Sequence, residues 1–199
     1  MRIISGNYGG RKLHGPRGQE TRPTGDRLKE TLFNIISDKI DRRVFLDVFA
    51  GTGAIGLEAV SRGAGEVVFI ERDKAAVRLI RRNLETCSIA SGYRILEQDV
   101  FTALRMLARQ EFHSDIVFLD PPYEWEPYQD LLDILFTQKI AGDLSLVVVE
   151  HHRKVDLPEY RNGYARARIV RQGDHCLSFY KASAINRQLP AVRDQLQTP

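Results

Sequence analysis

The sequence predicts an α/β fold: a mostly parallel sheet covered by helices on both faces, closed by a terminal antiparallel hairpin, with a small β-hairpin extension at the N-terminus. Three observations predict it. Short apolar runs alternate with amphipathic stretches of helical period from Val44 to Val149, the pattern of βαβ units. The first run leads directly into a glycine-rich loop. After Val149 the alternation stops, and two strand-like runs joined by Gln172-Gly173-Asp174-His175 read as a hairpin.

In chain order, residues 1–20 have a composition of their own. Arg2, Arg11, Lys12, His14 and Arg17 interleave with glycines, and Glu20 is the only acid. Ile3-Ile4-Ser5 and Arg11-Lys12-Leu13 flank the turn-forming Asn7-Tyr8-Gly9-Gly10, so a short hairpin is expected. A hairpin this small must lean on the domain that follows. With Tyr8 exposed near its tip it has the make-up of a basic arm that meets phosphate, or of a solvated flap. Leu28, Leu32, Ile35 and Ile36 then fall at helical spacing, with Thr24 or Asp26 to cap the start. Arg22, Arg27 and Lys29 bring positive charge to that helix's N-terminus. This opposes the macrodipole and suits service to an anionic partner.

Val44–Val48 is the first strand, followed by a helix over roughly residues 54–62. Val67–Glu71 is the second, and Asp73 caps a helix that reaches about Thr86. Arg94-Ile95-Leu96 is the third, followed by Asp99 and a helix through Ala108. Ile116–Leu119 is the fourth; Leu131, Leu132, Ile134, Leu135 and Phe136 line the helix that comes after it. Leu144–Val149 is the fifth. Ala167–Val170 and Cys176–Tyr180 form the hairpin. Residues 21–182 thus make the α/β domain, and 183–199 read as a polar, disordered tail.

A chain of 199 residues, 43% hydrophobic and 28% charged, suits one soluble domain and excludes global disorder. No apolar run has the length of a membrane span and no signal-peptide core opens the chain, so a cytoplasmic protein is expected. Cys87 and Cys176 have neither metal-ligand spacing nor disulfide density and read as buried thiols. His151-His152 resembles a metal pair, but adjacent residues of an extended segment point apart; both are placed in a rim loop, and no metal is expected. The net charge of +3 announces no nucleic-acid binder by itself; its concentration in the opening segment says more.

Asp120-Pro121-Pro122-Tyr123 ends the fourth strand. Two prolines prevent the chain from continuing as sheet or entering a helix at once. A stiff loop results at the carboxyl end of a strand, where open α/β sheets place ligands. Its carboxylate and carbonyls suit the N–H bonds of a planar amine, and Tyr123 offers a stacking face. Gly51-Thr52-Gly53-Ala54-Ile55-Gly56 is a literal G-x-G-x-x-G, with Glu71 20 residues beyond Gly51. Mechanically that is a dinucleotide fingerprint, so a nicotinamide oxidoreductase competes. Against it, Asp47 precedes the glycines, where it would repel a pyrophosphate and welcome an ammonium. Asp99 follows the third strand, Asp120 the fourth, and the sheet ends antiparallel. Acids after successive strands suit an amino acid joined to adenosine.

With these motifs the chain resembles the class I S-adenosylmethionine-dependent methyltransferases, and more closely the bacterial small-subunit ribosomal RNA guanine methyltransferases of the RsmD type. The specific matches are Arg2–Gly6, Gly10–Leu13, Arg22-Pro23-Thr24 and Asp26–Asn34, joined by Asp47–Ala59, Glu71 and the Asp120 tetrapeptide; Gly25 departs from the family pattern. The resemblance implies a Rossmann-like methyltransferase sheet that takes S-adenosylmethionine and yields S-adenosylhomocysteine. It implies that Thr24, Asp47, Phe49, Gly51, Gly53, Glu71, Arg72, Asp99, Val100, Phe101 and Asp120 bind the cofactor. Asp120, Pro121, Pro122 and Tyr123 would hold the guanine 2-amino group, and Arg2, Tyr8, Arg11, Lys12, Arg22, Arg27 and Lys29 would meet RNA. The expected partner is small-subunit ribosomal RNA in the 30S subunit or a late assembly intermediate, met by a monomer. Adenine-N6 methylation of DNA or RNA is the alternative for the same tetrapeptide.

Overall fold

In a computed structural model, residues 1–16, 23–122, 125 and 127–183 are described. The expectations placed on Arg17, Glu20, Arg22 and Tyr123 and on the tail from residue 184 lie outside these residues, as do the side chains of Thr24 and Asp26. Five strands, β1 (Val44–Val48), β2 (Glu66–Glu71), β3 (Tyr93–Glu97), β4 (Ser114–Leu119) and β5 (Ala141–His152), run parallel. Beside β5, β8 (His175–Ala182), β7 (Tyr164–Gln172) and β6 (Tyr160–Arg161) are antiparallel. The order is β3-β2-β1-β4-β5-β8-β7-β6. The winding reverses between β1 and β4, which opens a crevice at their carboxyl ends.

Strand alternation sorts the sheet residues onto two apolar faces. Phe45, Val67, Phe69, Ile116 and Val148 face one core, under α1 (Pro23–Ile36), α2 (Ala54–Ser61) and α3 (Lys74–Thr86). Leu46, Val48, Val68, Ile70 and Val117 face the other, under α4 (Val100–Arg109) and α5 (Tyr128–Thr137). Helix α1 begins at Pro23, so Thr24 and Asp26 fall within its first turn instead of preceding it. Proline suits that first position, where the missing N–H has no intrahelical partner to lose. Leu28, Leu32, Phe33 and Ile36 bury its inner face.

The parallel strands, α3 and the terminal hairpin stand where the sequence puts them. The fifth strand is longer than expected. It runs through Glu150-His151-His152 because β8 continues to pair with it there, Glu150 opposite Leu177 and His152 opposite His175. The two histidines are therefore strand residues, not a rim loop. His151 is buried, its Nε2 2.9 Å from Ser178 Oγ, and burial lowers its pKa. Cys87 and Cys176 are buried free thiols.

The opening segment folds back on itself, with Arg2 bridged to Lys12 and Ile3 N–H donating to Arg11 O. It leans on α1 and α2 through Ile3, which is fully buried, and Leu13. Glu58 of α2 accepts from Ile4 N–H at 2.7 Å and Ser5 N–H at 3.0 Å. Ser61 Oγ accepts from Tyr8 N–H at 2.9 Å and donates to Ser5 O at 2.5 Å.

Candidate active site

The crevice is built from the loops that leave β1, β2, β3 and β4. After β1 the chain turns sharply: Phe49 has φ of 63°, and Gly51 and Gly53 have φ of 55° and 77°. Glycine adopts this left-handed backbone freely, whereas for Phe49 it costs of order 1–3 kcal/mol, held by the surrounding fold. Gly56, one turn into α2, packs directly on the sheet; a Cβ there would lie 2.2 Å from Phe69 Cε1. Asp47 supports the loop from below. It is 1% exposed, and Oδ2 accepts from Gly56 N–H at 2.8 Å. Burial, with a smaller contribution from the charges of Asp120 and Glu71, raises its pKa to about 7.

Glu71 ties this loop to the next. Oε2 accepts from Gly51 N–H at 2.9 Å and Oε1 from Asp73 N–H at 2.8 Å. Asp73 in turn caps α3. Asp99 caps α4 by accepting from Phe101 and Thr102 N–H, both on Oδ1. Glu71 and Asp99 line a cavity of about 860 Å³ together with Phe49, Gly51, Arg72, Val100 and Phe101. Asp120, Pro121 and Pro122 form its far wall.

The same Asp120-Pro121-Pro122 turn is also a wall of a second cavity, about 750 Å³, on its other side. Asp120 is solvent-exposed and faces both spaces, although protein atoms crowd around its carboxyl group. That desolvation, then the charge of Glu150, raises its pKa well above the carboxylate range; His175 opposes the shift. Glu150 is itself raised to about 7 by burial.

Most of the expected cofactor residues therefore meet at one cavity. Asp47 and Gly53 do not line it; they hold the loop from beneath, Asp47 because strand alternation turns it, like Phe45, into the core. Lys29 is a correction. It is 5% exposed, donates to Arg2 O at 2.5 Å and lies 3.5 Å from Glu58, so it braces the arm from within and is not part of the exposed basic surface. Arg2, Arg11, Lys12 and Arg27 are exposed. Tyr8 is half-buried, with the Arg11 guanidinium 5.2 Å from its ring centre.

Trp125, Gln98, Glu150 and His175 escaped the sequence reading. Trp125 lies edge-on to Phe49 at 5.2 Å and stacked near Phe101 at 6.2 Å, lining the first cavity. A lone tryptophan two residues past the Asp-Pro-Pro-Tyr turn was its signal. Gln98 Oε1 is buried without a hydrogen-bond partner beside that cavity. Among the described residues no group of three or more acids, histidines or cysteines is placed to hold a metal ion.

A switch-point crevice, a glycine loop with an acid after the second strand, and an antiparallel end to the sheet define a class I methyltransferase fold, and solved methyltransferases share it. Residues 1–181 match the family described as Conserved hypothetical protein 95, and the chain belongs to that family. Among the proteins it is similar to is Ribosomal RNA small subunit methyltransferase D of Escherichia coli K12, 34% identical over 92% of this chain and 91% of that protein. The protein of the same name from Haemophilus influenzae is 38% identical over 75% and 78%. A solved hypothetical protein of Thermus thermophilus is 29% identical with a TM-score of 0.78, covering 92% of this chain and 99% of its own.

Proposed function

We propose that the protein transfers a methyl group from S-adenosylmethionine to the exocyclic 2-amino group of a guanine in small-subunit ribosomal RNA, within the assembled subunit or a late assembly intermediate. The observation that carries this reading is the Asp120-Pro121-Pro122 turn, which walls one cavity on each side. A donor in one space and an amine in the other would meet across a single rigid segment. The names of the Escherichia coli and Haemophilus influenzae relatives support the RNA class.

The residues of the first cavity fit the cofactor. Glu71 accepts one backbone N–H on each oxygen, which leaves lone pairs for ribose hydroxyls. Asp99 Oδ2 and the orphaned Gln98 Oε1 are acceptors suited to an adenine amino group, between the apolar Val100 and Phe101. When bound, S-adenosylmethionine supplies an electrophilic methyl group on a sulfonium, whose carbon–sulfur bond breaks as the carbon–nitrogen bond forms and leaves a neutral thioether.

The lone pair of the guanine amine is delocalised into the ring. Asp120 and the Pro121 carbonyl, accepting its two N–H bonds, favour a tetrahedral nitrogen and aim its lone pair. Positioning and fixed charge supply the acceleration, with no covalent enzyme intermediate. The nitrogen then sheds one proton, for which the Asp120 carboxylate beside it is the acceptor at hand. A base within a stem cannot enter such a recess, so the target is unpaired or flipped out. Arg2, Arg11, Lys12 and Arg27 supply phosphate contacts.

Radiolabelled S-adenosylmethionine, incubated with unmodified small subunits, naked small-subunit RNA and duplex DNA and followed by nucleoside analysis, tests the proposal. Label in 2-methylguanosine, with subunits preferred over naked RNA, is expected. Label in N-methyladenine or in DNA alone would overturn the substrate while keeping the fold.

A further inference from the structure

The second cavity contains a recognition device that the transfer reaction itself does not need. Leu119 of β4 pairs in parallel with Val149 of β5, so Asp120 and Glu150, the next residue on each strand, stand side by side at the sheet edge. Adjacent strands lie about 4.8 Å apart. From the opposite direction β8 brings in His175, whose Nδ1 is 3.2 Å from Glu150 Oε1. Glu150, Asp120 and His175 all line this cavity. Its roughly 750 Å³ lies within the range of small-molecule sites and accommodates a purine nucleotide.

We propose that Glu150, oriented by His175, accepts the N1–H of the target guanine beside Asp120, and thereby selects guanine over adenine. This rests on the guanine reading above. Guanine presents two adjacent kinds of donor on one edge, N1–H and the 2-amino group, and two adjacent carboxylates match that pair. Adenine presents a 6-amino donor next to N1, which is an acceptor; an ionised Glu150 would face a lone pair there and repel it. A site made to receive an N–H discriminates strongly against a ligand without one. The turn alone offers a single carboxylate and would take either amine. Glu150 supplies the distinction, and His175 is a positioning residue that fixes which way its oxygens point.

The role requires an ionised Glu150. Burial raises its pKa to about 7, and the titratable groups that line the same cavity are Asp120, Tyr128, His151, His152, Lys154, Asp174 and His175. Activity in the wild-type protein is therefore expected to rise with pH as Glu150, at about 7, and Asp120, itself raised, ionise as a pair.

The test measures methyl transfer to unmodified small subunits, with S-adenosylhomocysteine affinity by calorimetry, for wild type, Glu150→Ala and Glu150→Gln. Glu150→Ala is expected to lower kcat/KM for the subunit about 10- to 100-fold, the range for a hydrogen bond to a charged group, with cofactor affinity within about twofold of wild type. Glu150→Gln retains a carbonyl acceptor, so it is expected to lose less. Its acid limb should move below that of wild type, because the neighbouring charge on Asp120 is relieved. Two variants with wild-type kcat/KM and an unmoved pH profile overturn the assignment while label stays in 2-methylguanosine. Equal loss of cofactor affinity and transfer overturns it in favour of a structural role. Label in N-methyladenine from the wild-type protein overturns the guanine reading and this assignment together.

Discussion

Replacing Glu58 by alanine will release the N-terminal arm while leaving the cavity lined by Glu71 and Asp99 standing. Glu58 is fully buried. It holds four donors: Ile4 and Ser5 N–H at 2.7 and 3.0 Å, Arg62 Nε at 2.8 Å, and Lys29 Nζ at 3.5 Å. The substitution keeps Lys29 on Arg2 O but takes away the buried carboxylate 3.5 Å from it. Removing one member of a buried pair costs about 3–5 kcal/mol. At roughly 2–4 °C per kcal/mol for a chain of this size, Tm falls by about 6–20 °C. Differential scanning calorimetry gives that number. Calorimetric titration with S-adenosylhomocysteine should stay near wild type, because none of the four donors lines its cavity, whereas transfer to subunits should drop with the loosened arm. Adding Lys29→Met to Glu58→Ala removes the ammonium that the Glu58 carboxylate faced and should recover part of the loss. A Tm change below about 3 °C, or a double variant less stable than the single, would refute the reasoning.

Three further outcomes are expected. Asp120→Ala should lower transfer by about 10²–10³-fold, the scale of losing one preorganised electrostatic group, with S-adenosylhomocysteine affinity retained; parallel loss of both would make the turn a structural element. Gly56→Ala would force a Cβ to within 2.2 Å of Phe69 Cε1, an overpacking cost of about 1–3 kcal/mol, seen as a Tm lower by about 2–12 °C. Asp47 has its folded-state pKa raised to about 7, so its contribution favours folding below pH 4, the ordinary aspartate range, and is lost as pH rises through 7. Asp47→Asn keeps an acceptor for Gly56 N–H and removes that loss. Denaturation midpoints at pH 5 and 8 should show the variant gaining on wild type at the higher pH, by up to roughly 3 kcal/mol.

The parallel strands and their helices were legible because their signals are local: apolar runs, period, glycine and proline. Asp73 was legible as a cap for the same reason. Lys29 was misplaced because its charge and closeness to a helix start were weighed without its phase. It shares a face with Phe33 and Ile36, four and seven positions on, both of which are buried. The alternation that buries Phe45 likewise turns Asp47 inward. The end of β5 was not legible, since Glu150-His151-His152 have no strand-like composition and become strand only through pairing with β8. Glu150 and His175 lie 25 residues apart, and only sheet register brings them to the turn after β4.

That reversal of direction on the far side of β5 has an evolutionary consequence. The parallel half holds the loops after β1, β2 and β3, whereas the hairpin turn at Gly173-Asp174 reaches the same edge from a separate strand pair. A Cβ on Gly173 would meet nothing within 4 Å, so the turn projects into open space and makes no demand on the glycine loop. On the proposed function, recognition and chemistry would thereby be separable in inheritance, with the hairpin free to vary while the loops after β1, β2 and β3 stay as they are.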